Sequence, residues 1–291
     1  MPQNMACYFD GNAGLTIEGV ASLLPNPART GLFAFAYQST LPDTGTDDSF
    51  YPIVGWKSQP WIADPPINQF TARCRILIDC HYERGGVYFS FGPKSGDWAL
   101  GLPWGNLILN NTWHHFLCAY DLGVANGRGV AYHDTTQVFD GVLDASLNGY
   151  IYTSEAPDVA ASRIDVGRHI GTNPFETSGV RKWIGGLAEV YTFLDSSFDF
   201  IGAISTLAAR NKFWKDGIIQ NFGGMGSGPL NLSGAPAPRL YCSGPPELFK
   251  SGHAYRSGGL SLGITTVASP ITVNGTLIES TSDPFSDTLI A

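Results

Sequence analysis

Charged residues are scarce in this sequence, and basic ones most of all. Asp, Glu, Lys and Arg make up 14% of the 291 residues, where about a quarter is usual, and the formal net charge is −8. No run of lysine or arginine stands out, so the chain lacks the basic surface that binds phosphate backbones or anionic membranes. We therefore expect no nucleic-acid partner, and neutral glycans or other protein surfaces suit the composition better.

Long apolar runs and a secretory leader are missing as well. No stretch approaches the roughly 18 apolar residues of a membrane-spanning helix. Residues 1–11 do not combine a charged region with an apolar one, as a signal peptide would. The prediction is a chain made in a cytoplasm, with no signal peptide and no membrane insertion.

Cysteine spacing excludes two further classes of protein. The odd number of cysteines does not suit a disulfide framework, and no pair has the C-x-x-C spacing of a zinc site. Three of them, Cys7, Cys74 and Cys118, lie in apolar, strand-like runs and are expected to be free thiols that pack as small hydrophobic residues. The five are Cys7, Cys74, Cys80, Cys118 and Cys242.

What the sequence does contain favours short strands joined by many turns. It has 35 glycines and 19 prolines, and 43% of its residues are hydrophobic. Residues 71–80 alternate between apolar and polar, and residues 113–122 form a strongly apolar strand with Trp113 and Tyr120 expected to be buried. Further strands are predicted over residues 86–92, 98–109, 130–133, 147–153, 162–168 and 183–193. The fold class is all-β, a two-sheet antiparallel jelly-roll sandwich.

Three other segments complete the organisation. One short helix is predicted over residues 198–213, capped by Ser197, and residues 41–69 are predicted to be a long irregular loop. The sandwich is assigned to residues 1–216 and a Gly/Pro-rich extension to residues 217–291. The apolar pieces of the extension need cover, from the sandwich itself or from a neighbouring subunit. We favour the neighbour, so the extension is predicted to be an assembly or interface segment, with residues 1–216 folding alone.

The order of the motifs resembles the laminin G-like (LamG) branch of the concanavalin A-like lectin/glucanase superfamily over about residues 6–215. The residues that carry the resemblance are YFDGNAGLTIEG, FTARCRILID, NTWHHFLCAYD, LNGYIY and WIGGLAEVYTFLDSSF. The resemblance implies a concanavalin A-like sandwich. It leaves function open, because the superfamily includes lectins, adhesive modules and glycosidases.

Residues 213–244 are similar to a tail that follows such domains in tailed-phage proteins. This similarity implies a virion structural or adhesive protein: a capsid decoration protein, a head fibre or a tail-associated module. The implied location is the virion. Its implied partners are other virion proteins and copies of itself, with host surface glycan as a candidate ligand.

Catalytic machinery is not apparent in the sequence. The superfamily's hydrolases carry E-x-D-x-(x)-E on one strand, because two carboxyl groups must flank the scissile bond. Here Glu189 stands alone on the matching strand. We therefore predict no enzyme activity, the alternative being a glycan-active enzyme or a free lectin of the same fold. His114 and His115 are adjacent on a strand and point to opposite faces, so together they cannot bind one metal ion.

Ligand-binding candidates are aromatic, and no cofactor is predicted. Calcium occurs in laminin G-like relatives, and loop residues offer oxygen ligands, but they form no EF-hand-like series. These residues are Asp10, Asn12, Asp121, Asp134 and Asp140. Tryptophans beside Gly/Pro turns either stack on sugar rings or pack in the core. The predicted ligand-binding residues are Trp56, Trp61, Trp98 and Trp104.

Overall fold

Strands make up most of the part of the chain that the structure describes. The computed structural model describes residues 6–10, 13–18, 29–39, 50–57, 62–64, 69–71, 75–81, 86–92, 102–106, 108, 110–125, 127–143, 163–167, 183–220, 232, 234–236, 238, 240–242, 271–274 and 278–279. The strands are β1 (Cys7–Asp10), β2 (Gly14–Glu18), β3 (Thr30–Ser39), β4 (Phe50–Lys57), β5 (Ile62–Asp64), β6 (Gln69–Thr71), β7 (Arg75–His81), β8 (Gly86–Gly92), β9 (Leu102–Asn106), β10 (Trp113–Asp121), β11 (Arg128–His133), β12 (Thr136–Val142), β13 (Arg163–Val166), β14 (Ile184–Asp195), β15 (Trp214–Lys215), β16 (Ile218–Ile219), β17 (Leu240–Cys242), β18 (Ile271–Asn274) and β19 (Ile278–Glu279). The helices are α1 (Phe200–Ala203) and α2 (Leu207–Arg210).

The strands form two large sheets. The first has the order β12-β11-β10-β3-β14-β1-β19, with β17 also paired to β14, and the second has the order β18-β2-β13-β4-β7-β8-β9. Two small ribbons, β5-β6 and β15-β16, complete the described strands. Every strand pairing in the described residues is antiparallel. The all-β antiparallel prediction is therefore confirmed, and the jelly-roll order of the strands stays a prediction.

The first sheet is buried on both faces at its centre. In β3 every residue except Gln38 is buried, and in β10 every residue from His115 to Tyr120 is buried. Trp113, at the start of β10, is half-buried, so the burial expected of it holds only in part. One face packs under α1 and the residues around it, while the opposite face stacks Phe35 on Phe116 and Phe33 on Tyr120. Each such ring contributes about 1.5–3 kcal/mol by leaving water.

The single predicted helix is in fact two helices of four residues each. Asp199 caps α1, accepting from the Gly202 N–H, and Thr206 caps α2, accepting from the Ala209 N–H, so Ser197 is not the cap. The break follows from Ser205 and Thr206, whose hydroxyls bond to nearby backbone and compete with helix continuation. Within the described residues, no helix is long and apolar enough to cross a membrane.

Residues 41–69 are not one irregular loop. They contain β4, β5 and the first residue of β6, and β4 lies between β13 and β7 in the second sheet. Proline disfavours a central strand, and Pro52 is accommodated by a register shift between it and Val54. The strands β3 and β12 were also absent from the sequence prediction, and the predicted strand over residues 147–153 lies outside the described residues.

Three pieces of the extension pair with strands of the same chain. They are β17 on β14, β18 on β2 and β19 on β1. The sequence favours a neighbouring subunit as the partner of these apolar pieces. The structure instead pairs all three of them with the sandwich of their own chain. The boundary near residue 216 and the assembly role of the extension stay predictions.

Candidate functional site

The structure describes the backbone of two of the four predicted aromatic ligands, Trp56 and Trp104. Trp56 lies in β4, opposite Ile164 of β13 and Ile76 of β7. Trp104 lies in β9, the edge strand of the second sheet. Trp61 and Trp98 lie outside the described residues. The role of the four tryptophans in ligand binding stays a prediction.

Glu189 is enclosed in the protein rather than facing a substrate. Its side chain is fully buried, its φ is 47°, and β14 shifts register between Ala188 and Tyr191. The Tyr191 hydroxyl donates to Glu189 Oε2, and the Tyr241 hydroxyl donates to both carboxyl oxygens at 2.9 and 3.0 Å. A glycosidase carboxyl group must touch the sugar, and an enclosed one does not, so the position is structural.

The two adjacent histidines lie on opposite faces of β10, as predicted. His115 is buried, and its ring stacks on Trp214 with 6.1 Å between ring centroids. Burial lowers the pKa of His115 to about 3, with Asp134 opposing the shift, so this imidazole is neutral at physiological pH. His114 lies on the other side, with its ring 5.2 Å from that of His133.

A cluster of His114, His133 and Asp134 forms where β10 meets the β11–β12 turn. Asp134 lies in this turn with a φ of 55°, where a non-glycine residue is uncommon. Its Oδ1 accepts from the His115 N–H at 2.8 Å. Its Oδ2 lies 3.1 Å from His114 Nδ1 and 3.8 Å from His133 Nδ1. One ligand atom from each of the three residues lies within 4.8 Å of the others.

The far nitrogen of each imidazole has its own partner. His133 Nε2 lies 2.6 Å from the Tyr37 hydroxyl, which also accepts from the Ile108 N–H at 2.8 Å. His114 Nε2 lies 2.9 Å from Thr112 Oγ1 and 3.1 Å from Asn110 Oδ1. These contacts fix both rings with Nδ1 directed toward Asp134.

The electrostatics of the cluster favour a neutral His133 beside an ionised Asp134. Burial lowers the pKa of His133, and the Asp134 charge only partly opposes that shift. Burial disfavours the Asp134 carboxylate, but hydrogen bonds from His114 and the His115 N–H, together with the electrostatic effect of His133 and His114, outweigh it and hold the Asp134 pKa below its usual value.

Sequence reasoning missed this cluster because it considered His114 only with its neighbour His115. The sequence signal for the cluster was the pair His133-Asp134, about 20 residues after His114. This pair lies at the turn between β11 and β12, where a hairpin can bring it back to β10. In the β10–β11 pairing Phe116 faces His133, and this register brings the two histidines together.

The calcium candidates do not converge among the described residues. Asp10 accepts from the Ala13 N–H, Asp121 from the Gly123 N–H, and Asp140 pairs with Arg128. Asp121 ends β10, while Asp134 bonds to His115 near its start, about 20 Å away at the strand rise of about 3.3 Å per residue. Asn12 lies outside the described residues, and calcium binding stays an untested expectation.

Comparison with known proteins supports the fold and leaves the family unassigned. No protein-family model matches the chain, and no curated protein does. A provisionally assigned carbohydrate binding protein from Bacteroides ovatus has a TM-score of 0.50 and 14% identity over 100% of this chain. The chain spans 62% of that protein. At this identity the likeness establishes a shared fold, a β-sandwich, and the superfamily stays a prediction.

Other solved structures are more distant. A heptameric SAP-like pentraxin from Limulus polyphemus has a TM-score of 0.40 and 10% identity, over 70% of this chain and 82% of the pentraxin. The CBM40 of the Ruminococcus gnavus IT-sialidase, bound to α2,6-sialyllactose, has a TM-score of 0.43 and 10% identity, over 72% of this chain and 97% of that one.

Proposed function

We propose that the protein is a non-enzymatic carbohydrate-binding module that acts as a structural or adhesive component of a virion. The observation that carries the glycan-binding part is the fold match, over 100% of this chain and 62% of the other, to the Bacteroides ovatus protein that is provisionally assigned as carbohydrate binding. The low charge of the chain suits neutral ligands of this kind.

Glu189 supports a role without catalysis. It is the acidic residue on the strand where the superfamily's hydrolases carry their catalytic run, and here it accepts hydrogen bonds from Tyr191 and Tyr241 in the interior. Incubation with a panel of polysaccharides should release no reducing ends. Turnover that disappears in Glu189→Gln would instead favour the alternative, a glycan-active enzyme.

The virion part rests on the phage-like residues 213–244 in the sequence. On this proposal the partners are other virion proteins and copies of the same chain. Mass spectrometry of particles purified from the organism that carries the sequence should detect the protein at a fixed ratio to the major structural proteins. Its absence from intact particles would refute the virion role and leave a free lectin.

Glycan binding is testable on the purified full chain. We expect selective signals on a glycan array, followed by calorimetric titration of the best ligand. Trp56→Ala and Trp104→Ala should weaken binding at least about tenfold, equivalent to about 1.4 kcal/mol. Phe139→Ala, which removes a half-buried ring from an edge strand of the other sheet, is the matched control and should leave binding unchanged. No signal across a broad array would refute glycan binding.

A further inference from the structure

The cluster of His114, His133 and Asp134 has the composition of a cation site. We propose that these three residues bind one divalent transition metal ion of the zinc type, through the two Nδ1 atoms and Asp134 Oδ2. The proposal goes beyond glycan binding, and neither depends on the other.

The spacing of the three atoms is close to what such an ion requires. Zinc binds imidazole nitrogen and carboxylate oxygen at about 2.0–2.2 Å, so tetrahedral ligand atoms lie about 3.3–3.5 Å apart. Asp134 Oδ2 lies 3.1 Å from His114 Nδ1 and 3.8 Å from His133 Nδ1, and the ligand atoms of the three residues lie within 4.8 Å of one another. The wider separations must shorten when an ion binds.

Hydrogen bonds from neighbouring residues orient the two imidazoles and the Asp134 carboxylate toward one another. Metal-binding histidines usually bond through their other ring nitrogen to an oxygen partner, which fixes the tautomer and the ring. Tyr37 occupies this position for His133, and Asn110 with Thr112 occupies it for His114. The His115 N–H holds Asp134 Oδ1, while Asp134 Oδ2 shares a hydrogen bond with His114 Nδ1, and the ion would replace the proton between these two atoms. The cluster thus has both a set of ligands and a set of supporting contacts.

The donor set and exposure indicate the class of ion. Two imidazoles with one carboxylate favour Zn²⁺, Co²⁺ or Ni²⁺, whereas Ca²⁺ and Mg²⁺ prefer oxygen alone. The side chains are 12% exposed in His114, 8% in His133 and 30% in Asp134, so solvent reaches one side. Three protein ligands with an open side leave a fourth position for water or for an oxygen of a bound molecule.

Calorimetric titration of the full chain with ZnCl₂ at neutral pH tests the proposal. We expect one ion per chain and a rise in the thermal midpoint. His114→Gln and Asp134→Asn should each weaken binding by more than about 100-fold, and Tyr37→Phe, a positioning variant, by about 10- to 100-fold. The matched control is Asp140→Asn, which changes an exposed carboxylate of the same β11–β12 hairpin and should bind Zn²⁺ as the wild type does.

A second measurement keeps the test independent of how well the variants fold. Co²⁺ bound to the wild-type chain should give the intense visible absorption of a four- or five-coordinate ion, and Zn²⁺ should displace it. The proposal is overturned if the wild type binds no Zn²⁺ stoichiometrically. It is also overturned if His114→Gln binds as tightly as the wild type, or if Ca²⁺ competes for the site at equal concentration.

Discussion

The hydrogen bonds between Tyr241 and Glu189 connect the extension to the sandwich, and Tyr241→Phe removes them with little other change. The substitution deletes one hydroxyl. It leaves the ring, which stacks on Tyr191 with 5.0 Å between centroids and 7° between planes. The buried Glu189 carboxyl group then keeps the Tyr191 donor and loses the Tyr241 donor.

The magnitude follows from what the hydroxyl bonds to. The Tyr241 hydroxyl reaches both oxygens of the buried Glu189 carboxyl group. Removing one partner of a buried hydrogen-bonding group costs about 1–3 kcal/mol, because the remaining group gains no water in compensation. We therefore expect Tyr241→Phe to lower the free energy of unfolding by about 1–3 kcal/mol.

Urea denaturation in a double-mutant cycle measures the free energy that the hydrogen bonds between Tyr241 and Glu189 contribute. The second variant is Glu189→Met, which replaces the carboxyl group with an apolar chain of similar length. In that background Tyr241→Phe should cost less than about 1 kcal/mol, because the carboxyl group that bonds to the Tyr241 hydroxyl is gone. The reasoning is refuted if Tyr241→Phe alone costs under about 0.5 kcal/mol, or if it costs the same in both backgrounds.

Three further predictions concern stability and reactivity. Deletion of residues 221–291 removes the buried strand β17 from its pairing with β14. Contrary to the sequence prediction that residues 1–216 fold alone, we expect the remainder to lose its cooperative unfolding transition, and a sharp transition in calorimetry would contradict this. Gly185→Ala should cost at least about 3 kcal/mol in urea denaturation, because φ is 136° and a Cβ there meets the Gln38 carbonyl oxygen. Gly217→Ala, with a φ of 80° and open space, is the control at about 1–2 kcal/mol, and equal costs would contradict the steric argument. Burial raises the pKa of Cys242 to about 12 and also raises the pKa values of Cys7 and Cys118. These three thiols should therefore be unreactive at about pH 8. At most two of the five thiols should react with a disulfide reagent before the protein unfolds. Rapid reaction of three or more would contradict the burial of these thiols.

Local pattern predicted the strands whose sequences differ clearly from their surroundings. The strand predicted over residues 113–122 agrees with β10, Trp113–Asp121, to within one residue. The apolar segment there begins with Trp and ends at Asp-Leu-Gly, and both boundaries are visible in the sequence. β3 was missed, although it is apolar on both faces as β10 is. β4 was missed because its proline and the acidic residues before it are typical of a loop, and the hydrogen bonds that make it a strand come from β7 and β13.

The candidate site depends on contacts that no local pattern contains. The opposite orientation of His114 and His115 followed from strand geometry alone. The meeting of His114 with His133 needs the register of the β10–β11 pair, which is set by packing along the whole strand. The pairing of Glu189 with Tyr241, which are 52 residues apart in the sequence, needs β17 to pair with β14. Neither of these two contacts can be predicted from composition or periodicity.

The positions of β18 and β19 affect the order in which the chain can fold during synthesis. Ile17 pairs with Ile271, and Cys7 pairs with Glu279, so strands near residue 10 obtain these partners only after more than 250 further residues are made. At about 5–20 residues per second, the ribosome needs roughly 13–50 s to make that length of chain. During this interval an edge of β1 and an edge of β2 expose unpaired backbone groups, which are templates for pairing with other chains. Nascent chains of this protein are therefore a natural substrate for chaperones that bind extended segments.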